Sequence, residues 1–320
     1  YEESEAAAEG GVERRSADHL EIPENTETPS IDEMSKYIAS RVIGQDRPIR
    51  FTARVFNSIK AGAFPEEGPL VVLYLAGPTS VGKTKFALTL ADWIWHREKR
   101  AVERAKLQNT TLSFSEKDIE KPPLVKIDCA QFAGEMLHGV SNLLGSSAGF
   151  VGSKDDRHGT QPPLFRQENF PLNRFIVLLL DEFEKAFEGA RNEGAELMGV
   201  LMEILAQGKF TNNWGETVDF RNAIVIMTSN IGSVKIMQSA KRANIGFLFE
   251  GGAGPGKDTR LTEAEIEKLN TKIYKVTKKE YDRTHKPEFR NRVHRMIVFH
   301  FLTYTAYREI LGKELREIVQ

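Results

Sequence analysis

"LVVLYLAGPTSVGKT", residues 70–84, passes without a spacer from an apolar run into Gly77-x4-Gly82-Lys83-Thr84. A continuous apolar run suits a strand buried on both faces. The "KFALTLADWIW" that follows reads as a helix. Together they form strand, glycine-rich loop and helix, the context in which this spacing cradles phosphate. The glycines permit a turn that points amide N–H groups inward, and the helix directs its positive end at the same spot. The phosphate loop therefore runs through Gly77, Pro78, Thr79, Ser80, Val81 and Gly82. Lys83 brings a cation to the β and γ oxygens, and the Thr84 hydroxyl is a ligand for Mg²⁺.

A nucleotide hydrolase needs carboxylates near that loop. "FIVLLLDEFEKA" (175–186) supplies them as a second apolar strand ending in Asp181 and Glu182. Strands of a parallel sheet end on a common rim, so these acids should arrive beside the loop. Asp181 is expected to hold Mg²⁺, and Glu182 to activate the attacking water as general base. "AIVIMTSN" (223–230) is a third such strand, ending in Asn230, whose amide can reach the water or the γ-phosphate.

Further apolar runs at 124–129 and 296–301, with helical segments between them, predict an α/β fold with a mostly parallel sheet flanked by helices. Residues 97–122 and 248–285 read as charged surface insertions. The first thirty residues hold nine acids against two arginines and few large apolar groups, which predicts a disordered tail over 1–30. The large α/β domain is expected over 31–302. "TAYREILGKELREIVQ" begins a separate helix over 303–320.

The 320 residues are 40% hydrophobic and 28% charged, with formal net charge −1, so nothing in the composition asks for a nucleic-acid partner. The apolar runs are too short to cross a bilayer, so no membrane partner is expected. The single cysteine, Cys129, excludes an intramolecular disulfide and suits a cytoplasmic, reducing compartment.

"GPTSVGKT", "LLLDEFEKA", "GKFTNNWGETVDFRNAIVIMTSN" and "KPEFRNRV" together resemble the Clp unfoldases of the AAA+ superfamily, and most of all the second ATPase module of the two-module members. The resemblance runs from Arg41 to Leu302. It implies an AAA+ P-loop NTPase that uses ATP and Mg²⁺, assembles as a homo-oligomeric ring, a hexamer, and acts on polypeptide substrates. It implies that Val42, Ile43 and Gly44 surround the adenine, and that Asn230 is the sensor at the γ-phosphate. Arg292 matches the arginine finger that completes a neighbouring subunit's site, with Arg290 as second choice. Phe150 and Val151, set among glycines in "SSAGFVGS", match the loop that grips a chain in the axial pore. Ile245, Gly246 and Phe247 match a loop that docks a Clp-type peptidase, and ordinary loop packing explains them equally well. Residues 303–320 match the first helix of a truncated small α-helical domain. An ATP-gated assembly or scaffold protein that does not thread remains the alternative reading.

Overall fold

The computed structural model describes residues 31–61, 67–112, 116–133, 139–146, 162–188, 193–232, 235 and 263–319. The acidic segment 1–30, Phe150, Val151 and Ile245, Gly246 and Phe247 lie outside the described residues.

Five parallel strands build the central sheet: β1 (Val71–Ala76), β2 (Leu124–Asp128), β3 (Ile176–Asp181), β6 (Ala223–Ser229) and β7 (Arg295–Val298). Their order is β2-β3-β6-β1-β7, every neighbouring pair parallel. A two-residue-wide alternation divides the core. Val71, Leu73 and Leu75 pack with helices α1 (Ile31–Ala39), α2 (Asp46–Lys60) and α3 (Lys83–Gln108) on one face. Val72, Tyr74 and Ala76 join the opposite face, with α4 (Gly139–Leu144) and α5 (Glu193–Gln207). Every residue of β1, β3 and β6 is buried, which is why these strands read as unbroken apolar runs. β2, at an edge, alternates instead and carries Lys126 on an exposed position.

A short antiparallel hairpin, β4 (Lys209–Thr211) and β5 (Thr217–Asp219), links α5 to β6. After β6 come α6 (Glu263–Thr284), α7 (Pro287–Arg290), β7 and α8 (Tyr304–Val319).

The surface insertion expected over 97–122 is not what forms. α3 runs unbroken to Gln108 and buries Glu98, Val102 and Ala105. Glu98 meets Arg174 in a two-point ion pair that is almost fully buried, and Arg174 also donates to the Asp118 carbonyl. A paired charge can be buried where a lone one cannot. The partner sits 76 positions away, so local charge density gave a misleading reading. Likewise, α6 within 248–285 is not purely a surface feature. Ile266, Leu269 and Ile273 pack with Val298 and Phe301.

His285, at the end of α6, is buried against Tyr74, with Nε2 and the Tyr74 hydroxyl 3.0 Å apart. Burial, with help from the Arg290 charge, pushes its pKa down to about 4. The fold thus holds the neutral ring, whereas the unfolded chain takes up a proton below about 6.5. Stability should be complete above pH 6.5 and be lost as pH falls toward 4, on the order of 2 kcal/mol from this group. His285→Gln removes the titrating group, and denaturant melts at about pH 7 and about pH 4.5 should show a smaller loss than in the parent. An identical loss in both proteins would assign the acid sensitivity to other groups.

Candidate functional site

The parallel register brings three strand ends to one rim. Ala76 pairs with Ser229, and Asp181 lies one strand beyond β6. The loop leaving β1 turns sharply there. Gly77 has φ +148°, and a Cβ on it would sit 2.6 Å from the Phe299 carbonyl oxygen. Gly82 is left-handed at φ +99° and starts α3, with Val42 packed 3.4 Å from where its Cβ would be. A side chain at Gly77 has no room, and one at Gly82 would be strained.

The Lys83 ammonium lies inside this loop. It donates to the Gly77 carbonyl at 2.9 Å, the Pro78 carbonyl at 2.5 Å and Asn230 Oδ1 at 2.8 Å. Burial lowers its pKa to about 8, opposed by the carboxylates of Glu184, Asp181 and Glu182. The Asp181 carboxylate is held at both oxygens. Oδ1 accepts from Thr84 Oγ1 at 2.7 Å and Thr228 Oγ1 at 2.6 Å, and Oδ2 pairs with Lys126 Nζ at 2.9 Å. Burial alone would raise its pKa, but the bonds from Thr228, Thr84 and Lys126 win and hold it below the usual carboxylate range.

Glu182 follows in a left-handed conformation, φ 52° and ψ 47°, a strain of about 1–2 kcal/mol for a residue with a Cβ. Thr228 Oγ1, which accepts from the Glu182 amide at 3.0 Å, helps hold it there. Its carboxylate is half-exposed, with Lys185 Nζ 3.6 Å off. A cavity of about 270 Å³ opens between Thr79, Ser80, Lys83, Thr84, Asp181, Glu182 and Asn230.

Three partners were missed in the sequence. Lys126 neutralises Asp181 from the neighbouring strand. Glu184 Oε1 accepts from the Asn230 amide at 3.0 Å, and its other oxygen is buried without a partner among the described residues. Gln45 is buried, donates to the Val81 and His300 carbonyls at 3.1 and 2.9 Å, and accepts from the His300 amide at 3.1 Å. It ties the phosphate loop to the chain leaving β7. The one available signal was a lysine inside the strand "LVKID". Beside Gln45, Val42 is buried against the loop, Ile43 is half-buried, and Gly44 leaves a gap that a Cβ would close to 2.9 Å from Ala306 Cβ of α8.

Two predicted residues do not join this cleft. Arg290 is engaged by Asp282 of α6 at 2.7 Å. Arg292 is exposed and has no side-chain hydrogen bond or ion pair among the described residues. It precedes β7, whose Arg295 pairs with Leu73. It therefore lies toward the opposite end of β1 from Gly77. Leu73 stands four residues, about 13 Å of strand, before Gly77, and Arg292 does not line the cavity there.

The family described as "AAA domain (Cdc48 subfamily)" matches residues 68–296. The chain belongs to this AAA family. The chain is 28% identical over 293 residues to the ATP-dependent Clp protease ATP-binding subunit ClpA homolog of Porphyra purpurea, covering 92% of this chain and 29% of that protein. It is 29% identical over 285 residues to chaperone protein ClpB of Clostridium perfringens, covering 89% of this chain and 26% of that one. The chain thus spans between a quarter and a third of the length of these relatives. Its fold is similar to the S. cerevisiae Hsp104:casein complex in its extended conformation. The TM-score is 0.58 at 23% identity, over 92% of this chain and 40% of that one. The chain accordingly has an AAA+ P-loop NTPase fold. Among its described residues, no helix is long and apolar enough to cross a membrane.

Proposed function

We propose that this AAA domain hydrolyses ATP and uses the energy to pull polypeptide through the axial pore of a homo-oligomeric ring, a hexamer, in the cytoplasm. One observation carries the ATPase part: Lys83, Thr84, Asp181, Glu182 and Asn230 line a single cavity at the rim of the sheet. Lys83 already holds carbonyl and amide oxygens, and phosphate oxygens can take their place without moving the ammonium far. Thr84 and Asp181 present a hydroxyl and a carboxylate in contact, an all-oxygen donor set that suits Mg²⁺. Bound there, Mg²⁺ would neutralise charge on the β and γ oxygens. Glu182 takes the proton of the attacking water as its oxygen bonds to the γ-phosphorus and the bond to the ADP oxygen breaks, giving ADP and phosphate. Asn230 orients the water or the γ-phosphate, and Val42, Ile43 and Gly44 hold the adenine. Arg292 acts on the neighbouring subunit's nucleotide, since it does not line its own cleft.

The threading part is supported by the relatives named as Clp subunits and by a structural relative captured with casein. Phe150 is the gripping residue in this reading, with Val151 beside it. Docking of a Clp-type peptidase through Ile245, Gly246 and Phe247 rests on the sequence resemblance alone. Phe150→Ala in the full-length protein separates threading from a scaffold role. Unfolding of a casein-tagged fluorescent protein should collapse while ATP affinity stays at the parent value. Unchanged unfolding by the variant would remove Phe150 from the account and favour a non-threading assembly protein.

A further inference from the structure

We propose that the tip of the β4–β5 hairpin, Asn212, Asn213 and Trp214, is a positioning element that holds residues 142–145 and 164–167, the described chain on either side of segment 147–161, relative to the nucleotide cleft. Its functional meaning rests on the reading of Phe150 as the gripping residue.

Residues 142–143 and 164–165, before and after that segment, lie side by side. The Leu164 amide donates to the Asn142 carbonyl at 3.0 Å, and the Phe165 amide to the Leu143 carbonyl at 2.9 Å. The hairpin tip then bonds to both. Toward the entering end, the Asn213 amide donates to the Leu144 carbonyl at 2.9 Å, and its side-chain Nδ2 to the Gly145 carbonyl at 2.7 Å. Toward the leaving end, Asn212 Nδ2 donates to the Phe165 carbonyl at 2.9 Å, and the Gln167 amide donates to Glu216 Oε1 at 2.8 Å.

The Trp214 indole covers Gly145. That glycine is left-handed at φ +84°, and a Cβ there would lie 2.6 Å from Trp214 Nε1. Trp214 Nε1 is buried and has no hydrogen-bond partner among the described residues, and the ring packs over Gly145. Asn212 stiffens the tip from within. It is buried, and its Oδ1 accepts from the Trp214 and Glu216 amides, each at 3.0 Å. A plain connecting turn needs none of these outward contacts.

The other end of the hairpin is rooted in the ATP site. β5 leads into β6, which delivers Thr228 and Asn230. Phe220, between them, packs with Phe170 at 4.4 Å and Phe165 at 5.3 Å between ring centres. β4 follows α5, whose Gly194 presses against the turn after Glu182. A Cβ on Gly194 would lie 2.0 Å from the Ala186 carbonyl oxygen. Packed backbone thus runs from that turn and from Asn230 to the hairpin, which holds Leu144, Gly145 and Phe165.

Three variants of the full-length protein test this. Asn213→Asp keeps the size but removes the side-chain donor to Gly145, Trp214→Ala uncovers that glycine, and Trp214→Phe keeps a packed ring. Amide hydrogen exchange at Gly145, Leu164 and Phe165 should speed up about tenfold in the first two and stay at the parent rate in Trp214→Phe. Affinity for fluorescein-labelled casein should fall about tenfold in the same two, with ATP affinity and basal hydrolysis kept within about twofold. Unchanged exchange would overturn the anchor. Faster exchange with unchanged casein affinity would overturn its positioning role, and so would equal losses of casein and ATP affinity. If the parent itself binds no casein, the threading reading fails, while the exchange rates still decide whether the anchor exists.

Discussion

Glu182→Gln is expected to bind ATP as tightly as the parent and to hydrolyse it roughly 10²–10⁴-fold more slowly. The amide keeps the shape of the carboxylate but cannot accept a proton from water. Binding should survive because other groups hold the phosphates: the loop amides, Lys83 and Thr84. The geometry gives Glu182 a role distinct from that of Asp181. Asp181 is buried and bonded to Thr84, Thr228 and Lys126. Glu182 is turned outward by a left-handed backbone and faces the cavity with Lys185 at 3.6 Å. Single-turnover hydrolysis, read beside binding of a fluorescent ATP analogue, checks both halves. Hydrolysis at the parent rate would move the base elsewhere.

Arg292→Ala is expected to lower hydrolysis in the assembled ring by about 10³-fold or more, the scale on which an arginine finger acts. ATP binding to single protomers should be unaffected, because Arg292 precedes β7 and does not line its own nucleotide cavity. Arg290→Ala is the contrast. Its guanidinium is held by Asp282 at 2.7 Å and joins α7 to α6, so its loss should alter hydrolysis by less than about threefold. Steady-state ATPase rates of the two variants at protein concentrations that favour assembly make the comparison. The opposite ranking would exchange the roles of the two arginines.

Much of the site is legible in the sequence because its chemistry demands fixed residue types at fixed spacing. Gly77 to Thr84 must be contiguous to wrap a phosphate, and Asp181 and Glu182 must end a strand. β1, β3 and β6 are legible because burial on both faces leaves no polar position to interrupt them. The supporting residues are a different matter. Lys126, Glu184 and Gln45 act across 55, 46 and up to 255 positions of chain, and no local pattern marks such a meeting. The three-residue strands β4 and β5 are too short to carry a period, although their turn holds the network that secures residues 144–145 and 165–167. The reading of 97–122 as a surface insertion failed for the same physical reason: Glu98 looks solvated until Arg174 folds against it. The partner of Arg290, Asp282, likewise comes from a different helix.

The central claim is that one protomer's Glu182 and its neighbour's Arg292 complete a single hydrolytic cleft. Mixing the Glu182→Gln and Arg292→Ala proteins tests it most directly, since each should be inactive alone for a different missing group. Mixed rings contain interfaces where an intact Glu182 faces an intact Arg292, so ATPase activity should reappear on mixing. A mixture that assembles and binds ATP yet stays as inactive as either variant alone would contradict the shared cleft.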